Sequence, residues 1–302
     1  MGLLDGKVAI VTGAGQGLGR AEALLLAECG AKVVVNDRAP AEGGPRTAEA
    51  VVAEIVAAGG TARANHADVS DWDQAEAMIQ QAIDDFGRLD MLVCNAGIVR
   101  DRMTFNLSES EWDDVICVNL KGHFAPARHA VVHWRNLAKA SGQPAGGRIV
   151  FTSSESGLYG NLGQPNYSTA KAGVTGLTFE LAKEVARLGI TVNTICPRGR
   201  TPMTETTFGE FKRDPAAFDS WDPHNVAPWV AFLGSDDAAD ITGQIFVVYG
   251  GTVQRMAGWS VHSRISEERR WSPEELVGEA RKLFPDMTAS APDMPDPEIP
   301  VQ

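Results

Sequence analysis

The chain has 302 residues, 44% of them hydrophobic and 22% charged, a composition that suits one large α/β domain or two small ones. Lys and Arg number 27 against 39 for Asp and Glu, and no basic tract offsets the net charge of -12, so no nucleic-acid partner is expected. No apolar run approaches the ~18 to 20 residues of a membrane span. Met1-Gly-Leu-Leu-Asp-Gly-Lys7 carries neither the basic nor the apolar region of a signal peptide, so a cytoplasmic protein without a membrane partner is expected.

Lys7 to Thr12 is a short β-branched run that predicts a buried strand. Gly13-Ala-Gly-Gln-Gly-Leu-Gly19 and a helical pattern from Arg20 to Cys29 follow at once. Strand, glycine turn and helix in that order set backbone N–H groups and a positive helix end against an anion, as in a pyrophosphate cradle. The next strand, Lys32 to Asp37, ends in an acid 18 residues after Gly19, near the ~20 expected of a ribose-binding carboxylate. Asp37 would accept from ribose hydroxyls and repel a 2′-phosphate, which favours NAD. Arg38 pulls toward NADP, and Gln16 adds no positive charge to the turn.

Ala39 to Arg46 reads as a Pro/Gly-rich surface loop before a helix from Thr47 to Ala58, with Thr47 suited to an N-cap. A third strand from Thr61 to Ala67 leads to Asp68-Val69, where Asp68 either meets an adenine amino group or caps the next helix. That helix runs from Trp72 to Phe86. A fourth buried strand, Met91 to Asn95, closes on Asn95-Ala-Gly97, whose small residues permit close backbone approach to a cofactor. Glu111 to Ala140 carries one long helical pattern. In it Asn119 is a polar residue in apolar company that must find partners, as a site residue or as a satisfied core Asn. His129 and His133 lack the carboxylate of a metal-binding helix and read as a helix face, so no metal is expected. The four cysteines, Cys29, Cys94, Cys117 and Cys196, form no C-x-x-C pair and read as reduced structural thiols.

Arg148 to Thr152 predicts a further buried strand, and Ala172 to Leu188 a helix. Between them Tyr167 and Lys171 are four apart, one turn along one helix face, and Ser154 lies 13 residues before Tyr167, just past the strand end. A glycine-rich connection through Gly157, Gly160 and Gly163 lets the chain fold back. A nearby ammonium is expected to lower the phenol from its usual value near 10, making Tyr167 a proton donor and acceptor for a substrate hydroxyl or carbonyl.

Ile190 to Cys196 is the sixth strand. The irregular segment from Pro197 to about His224 carries Met203, Phe208, Phe211, Phe218 and Trp221, either an apolar lid over a substrate or a loop packed on the domain. A helix from Asn225 to Leu233 and a last strand from Gln244 to Tyr249, ended by Gly250-Gly251, complete the pattern. Seven strands alternating with helices imply one doubly wound parallel sheet over residues 1–255. Residues 256–302 form an appended segment: Ser272-Pro-Glu-Glu starts one helix to about Leu283, and Pro285 to Gln302 reads as extended or disordered.

Thr12-Gly-Ala-Gly-Gln-Gly-Leu-Gly19, Asn95-Ala-Gly97, Asn119, Ser154, Tyr167-Ser-Thr-Ala-Lys171 and Pro197, in this order and spacing, resemble the short-chain dehydrogenase/reductase family over roughly residues 5 to 255. The resemblance implies a Rossmann-type α/β fold and a catalytic tetrad of Asn119, Ser154, Tyr167 and Lys171. In it Tyr167 is the acid/base, Ser154 bonds the reacting oxygen, Lys171 binds the nicotinamide ribose, and Asn119 holds a relay water. Cofactor contacts are implied at Gly13, Gln16, Gly17, Leu18 and Gly19, at Asp37, Asp68 and Val69, at Asn95, Ala96 and Gly97, and at Tyr167, Lys171, Pro197 and Thr201. Ser154 and Tyr167 also contact a small-molecule substrate. Homodimers or homotetramers built on the helices bearing Asn119 and Tyr167 are implied too.

A narrower likeness, through Ala31 to Asp37, Asn95 to Arg102, Thr152 to Asn161 and Arg200 to Thr204, is to the (3R)-hydroxyacyl-CoA dehydrogenase unit of peroxisomal multifunctional enzymes type 2 and bacterial relatives. It implies NAD and a 3-hydroxyacyl or sterol-derived thioester. Two positions depart from the family pattern. Pro197-Arg198 stands where Pro-Gly is usual, beside the expected carboxamide and substrate loop, and Tyr249 replaces the Asp of a late Asp-Gly-Gly.

Overall fold

Alternation along the strands decides which helices cover which face of the sheet. On the central strands, Ala9 and Val11, Val33 and Val35, and Met91 and Val93 point into one core; Val8 and Ile10, Val34, and Leu92 and Cys94 point into the other. Strands apolar on both faces must be covered on both, as parallel sheets are. The computed structural model, which describes residues 2–38, 44, 46–208 and 217–284, shows this arrangement.

The elements run β1 (Val8–Val11), α1 (Gly17–Glu28), β2 (Lys32–Asn36), α2 (Thr47–Ala57), β3 (Thr61–Asn65), α3 (Trp72–Phe86) and β4 (Met91–Cys94). Then come α4 (Glu109–Ile116), α5 (Gly122–Ser141), β5 (Arg148–Thr152), α6 (Glu155–Tyr159), α7 (Pro165–Glu184), β6 (Thr191–Pro197) and α8 (Pro202–Phe208). The last are α9 (Ala227–Gly234), β7 (Ile245–Tyr249), β8 (Thr252–Arg255) and α10 (Pro273–Glu279). The sheet order is β3-β2-β1-β4-β5-β6-β7-β8. α1, α2 and α9 supply Leu26, Ile55 and Val230 to one face; α3, α5 and α7 supply Met78, Trp134 and Val174 to the other. Strand order reverses beside β1, and a crevice opens there at the carboxyl ends of β1 and β4.

Five expectations need correction, the first being the irregular segment from Pro197 to about His224, in which α8 forms. The sheet has eight strands, because the chain turns at Gly250 (φ 49°) and Gly251 and returns as β8, antiparallel to β7, to cover the edge. The single helix expected over Glu111 to Ala140 is α4 and α5 joined by a π-helical stretch, Cys117–Lys121, with Asn119 at its centre. Arg46 takes the N-cap position of α2, and the Thr47 hydroxyl donates instead to Asp37 Oδ2 at 2.6 Å. The connection after Ser154 contains a short helix, α6, with Ser154 as its N-cap. The surface loop expected at 39–46 and the lid residue Phe211 fall largely outside the described residues, as does the tail from Pro285.

The chain divides at Arg255 into two compact units. In the second, a capping box between Ser272 and Glu275 starts α10, and Arg269 donates to both Glu275 oxygens at 2.6 and 3.0 Å. Among the described residues no helix is long and apolar enough to cross a membrane.

One core position breaks the apolar rule. Glu22 on α1 is fully buried, and neither carboxylate oxygen has a partner among the described residues. Burial pushes its pKa up to about 8 from 4.5. The folded state therefore binds a proton that the unfolded chain releases above about 4.5, and this stability is lost as pH rises toward 8. Glu22→Gln should unfold in urea like the wild type near pH 4.5 and be more stable by about 2 to 4 kcal/mol at pH 8.

Candidate active site

The turn after β1 is locked to the turn after β4. Thr12 Oγ1 accepts from the N–H groups of Asn95 (3.0 Å) and Ala96 (3.1 Å), and Asn95 Nδ2 donates back to the carbonyls of Thr12 (3.0 Å) and Gly13 (3.1 Å). Gly13 has φ 62°, and a Cβ there would sit 2.7 Å from Ala96 Cα, so only glycine fits. Gly17 is also left-handed (φ 57°), with Thr201 Cγ2 3.1 Å from where its Cβ would be. The opening of α1 thus presents free N–H groups to a cleft narrowed by the Thr201 segment. Gly19, expected to touch a cofactor, lies behind this wall: its missing Cβ makes room for Asn95 Nδ2 and Gly13 O, each at 2.5 Å. It is a packing glycine.

At the far end of β2, Asp37 and the Thr47 hydroxyl occupy space that a Cβ on Gly15 would fill, at 2.0 and 2.4 Å. His66 Nδ1 lies 3.1 Å from the Asp37 carbonyl and Nε2 3.0 Å from Glu49 Oε1. Arg38 faces the cleft but pairs with Asp68 at 3.7 Å, which offsets part of its charge. Asp68 does not cap α3; Asp71 does, and Asp68 Oδ1 accepts from Ser70 N (2.9 Å) and Oγ (2.6 Å) while its residue lines the cleft.

The other end of the cleft is built on α7. Lys171 is 2% exposed, and its Nζ donates to the Thr152 carbonyl at 2.8 Å, the last residue of β5. The same oxygen lies 3.1 Å from His123 Nε2, so His123 must carry its proton on that nitrogen. Burial, with Lys171 adding repulsion, holds the His123 pKa well below 6.5. Burial also lowers Lys171 to about 8. Tyr167 is hydrogen-bonded to Ser154, whose Oγ accepts from Ser156 N at 3.1 Å.

The expectation that an ammonium lowers the phenol is overturned. The Lys171 nitrogen stands 5.7 Å from the Tyr167 ring centre, and burial pushes the phenol up to about 12 against the opposing effect of the Ser154 hydrogen bond. The resting phenol is protonated.

Asn119 is fully buried and does not line the cleft. Its side chain bridges the backbone of Ile98, Oδ1 accepting at 2.8 Å and Nδ2 donating at 2.7 Å. These two bonds hold the π-helical stretch against the turn after β4. Gly97 fits beneath it: a Cβ would lie 2.9 Å from Asn119 Oδ1.

One cavity of about 610 Å³ joins the two ends. Every expected site residue except Gly19 and Asn119 lines it: Gly13, Gln16, Gly17 and Leu18; Asp37, Asp68 and Val69; Asn95, Ala96 and Gly97; Ser154, Tyr167, Lys171, Pro197 and Thr201. Sequence reasoning missed Gln164, Arg100 and Ser156 in the lining. Gln164 Nε2 donates to Asp101 Oδ2 at 2.9 Å and its Oε1 accepts from Ser156 Oγ at 2.9 Å, a network with no local signature because its members come from three separate segments of the chain. Of the expected lid residues Met203 lines the cavity, whereas Phe218 is 71% exposed. Among the described residues no group of three His, Cys, Asp or Glu could hold a metal.

A family model described as short chain dehydrogenase matches residues 7–211. The chain belongs to the short-chain dehydrogenase family. It is an oxidoreductase of hydroxyl or keto groups, from a family that uses a nicotinamide cofactor. It is 45% identical over 298 residues to hydroxyacyl-CoA dehydrogenase ChsB1 of Mycobacterium tuberculosis, covering 96% of this chain and 94% of that one. It is 42% identical over 260 residues to peroxisomal multifunctional enzyme type 2 of Drosophila melanogaster, where 85% of this chain matches 40% of that longer protein. A crystal structure of a short chain dehydrogenase from Mycobacterium avium superposes with a TM-score of 0.85 at 51% identity, over 93% of this chain and 96% of that one.

The short-chain dehydrogenase cleft fits a dinucleotide: the N–H groups that open α1 face it at Gln16, Gly17 and Leu18, and the Asp37 carboxylate lines its other end as an acceptor for ribose hydroxyls. Asn119→Ala would strand the Ile98 N–H and carbonyl. Urea unfolding should show a loss of about 2 to 3 kcal/mol, and reduced cofactor affinity should accompany it.

Proposed function

We propose that this enzyme is an NAD-dependent dehydrogenase of secondary alcohols whose substrate is a 3-hydroxyacyl-CoA thioester. The observation that carries the reading is the convergence of Ser154, Tyr167 and Lys171 at one end of a cleft whose other end is Asp37. The relatives named above support the substrate class, and the position of Asp37 supports NAD over NADP.

When bound, the nicotinamide supplies the hydride chemistry. The chain would hold the dinucleotide through the N–H groups of the glycine turn at the pyrophosphate, the Asp37 carboxylate at the adenosine ribose and the Lys171 ammonium at the nicotinamide ribose. Tyr167 Oη moves the proton at the reacting oxygen, and the Ser154 hydroxyl bonds that same oxygen. The protonated phenol is the form that donates to a ketone. In the oxidative direction the Ser154 hydrogen bond favours the phenolate. Lys171 keeps its charge below about pH 8, and Asn119 would hold a water in a proton relay through the ribose and the lysine.

Arg38, facing the cleft beside the ribose acid, supports a second reading, an NADP-linked 3-oxoacyl reductase or hydroxysteroid dehydrogenase. Saturation by NAD and by NADP separates the two: tighter NAD binding is expected, and an Asp37→Ala variant that kept it would refute the role given to that acid. A protein that only senses the dinucleotide is the reading from another class. Tyr167→Phe should cut kcat by about 10²- to 10⁴-fold with a panel of 3-hydroxyacyl-CoA esters while NADH still binds; unchanged turnover would reject Tyr167 as the acid/base.

Trp112 and Phe124, 37% and 41% exposed on α4 and α5, support a homodimer or homotetramer built on these helices and α7. Light scattering should give a mass of two or four chains, and a monomer would contradict it. Four unpaired cysteines suit a reducing compartment such as the cytoplasm.

A further inference from the structure

The two departures from the family pattern, Arg198 and Tyr249, meet in space. Arg198 Nε donates to Glu155 Oε2 at 2.6 Å and Nη2 to Oε1 at 2.8 Å, a bidentate pair with both side chains more than nine-tenths buried. The Tyr249 ring covers the guanidinium, its centre 4.2 Å from Cζ.

What the pair joins is set by the residues on either side. Ser154 and Ser156 line the cleft, and Glu155 between them does not. Pro197, Gly199 and Thr201, at and after the end of the neighbouring strand β6, line it too, and the intervening Arg198 and Arg200 do not. Arg200 is tied separately, donating to both Asp219 oxygens at 2.6 and 2.7 Å. Over Pro197 to Thr201 the alternation is that of an extended chain with one face to the cleft, whereas Glu155 is the first residue of α6. Arg198 continues the sheet by donating its N–H to Val248 O at 2.9 Å, so its side chain leaves a fixed backbone.

We infer that the Arg198–Glu155 pair, covered by Tyr249, is a cross-tie between the Ser154 turn and the Pro197–Thr201 wall, and that it positions the Ser154 hydroxyl against the nicotinamide end of the cleft. Arg198 and Glu155 are positioning residues; neither faces the cavity. The inference rests on the dehydrogenase reading for its turnover arm. A planar fork fixes both distance and orientation, which a single-point donor does not.

The test uses the double variant Arg198→Met/Glu155→Leu, because replacing a buried ion pair with apolar side chains of similar size commonly preserves the fold. Arg198→Lys, which keeps the charge and loses the fork, is run beside it. Both should melt near the wild-type temperature. The double variant should lose about tenfold or more in kcat, with substrate KM changed by less than about threefold, and its NADH Kd should rise about threefold or more. Arg198→Lys should fall between it and the wild type. A folded double variant with kcat and NADH Kd within about twofold of wild type would overturn the inference, as would wild-type values in Arg198→Lys should the double variant not fold. If the wild type oxidised no secondary alcohol, the substrate reading would fail alone, and the cross-tie would be judged on NADH Kd.

Discussion

The site depends on one constraint, an ammonium buried at the carboxyl end of the central sheet. Lys171 is nearly inaccessible, and its Nζ is anchored on the Thr152 carbonyl. A charge so placed must be paired or hydrogen-bonded, and its surroundings answer that demand. His123 shares the same carbonyl and is held neutral, which avoids a second cation beside the first. The absent side chain at Gly97 leaves room above the ammonium, and the Asn119 bridge to Ile98 keeps that turn in place. Tyr167, one turn earlier on α7, is thereby set against Ser154.

The remainder of the cleft follows from sheet topology. The strand order reverses beside β1, so the turns after β1 and β4 meet, and Thr12 and Asn95 bind them together. One crevice then runs from Asp37 to Tyr167, and the proposed dinucleotide would have its adenosine at the acid and its nicotinamide at the phenol. The Arg198–Glu155 pair joins the Ser154 turn to the Pro197–Thr201 segment.

Much of this was legible in the sequence because it is local. Strand periodicity, the glycine turn, the acid ending β2 and the four-residue step from Tyr167 to Lys171 each depend on neighbours close in the chain. What escaped depends on burial or on distant partners. The upward shift of Tyr167 comes from its surroundings, which spacing does not reveal. Thr47 has the side chain of an N-cap, but the Asp37 carboxylate competes for its hydroxyl. The π-helical stretch centres on Asn119, whose partner Ile98 is distant in the chain, and β8 pairs with β7 across two glycines. Arg198 and Tyr249 stood out singly as departures; that they form one contact required the fold. Glu22 carries no sequence mark at all, since its burial is decided by the sheet beneath α1.

The most direct test of the buried cation is an NMR titration of the lysine side chains labelled with ¹³C at Cε, with Lys171→Arg used to assign the resonance. The account predicts that Lys171 titrates near pH 8, well below its ordinary value of 10.5. A midpoint near 10.5 would mean that the ammonium is solvated, and would contradict the arrangement of Thr152, His123 and Tyr167 around it.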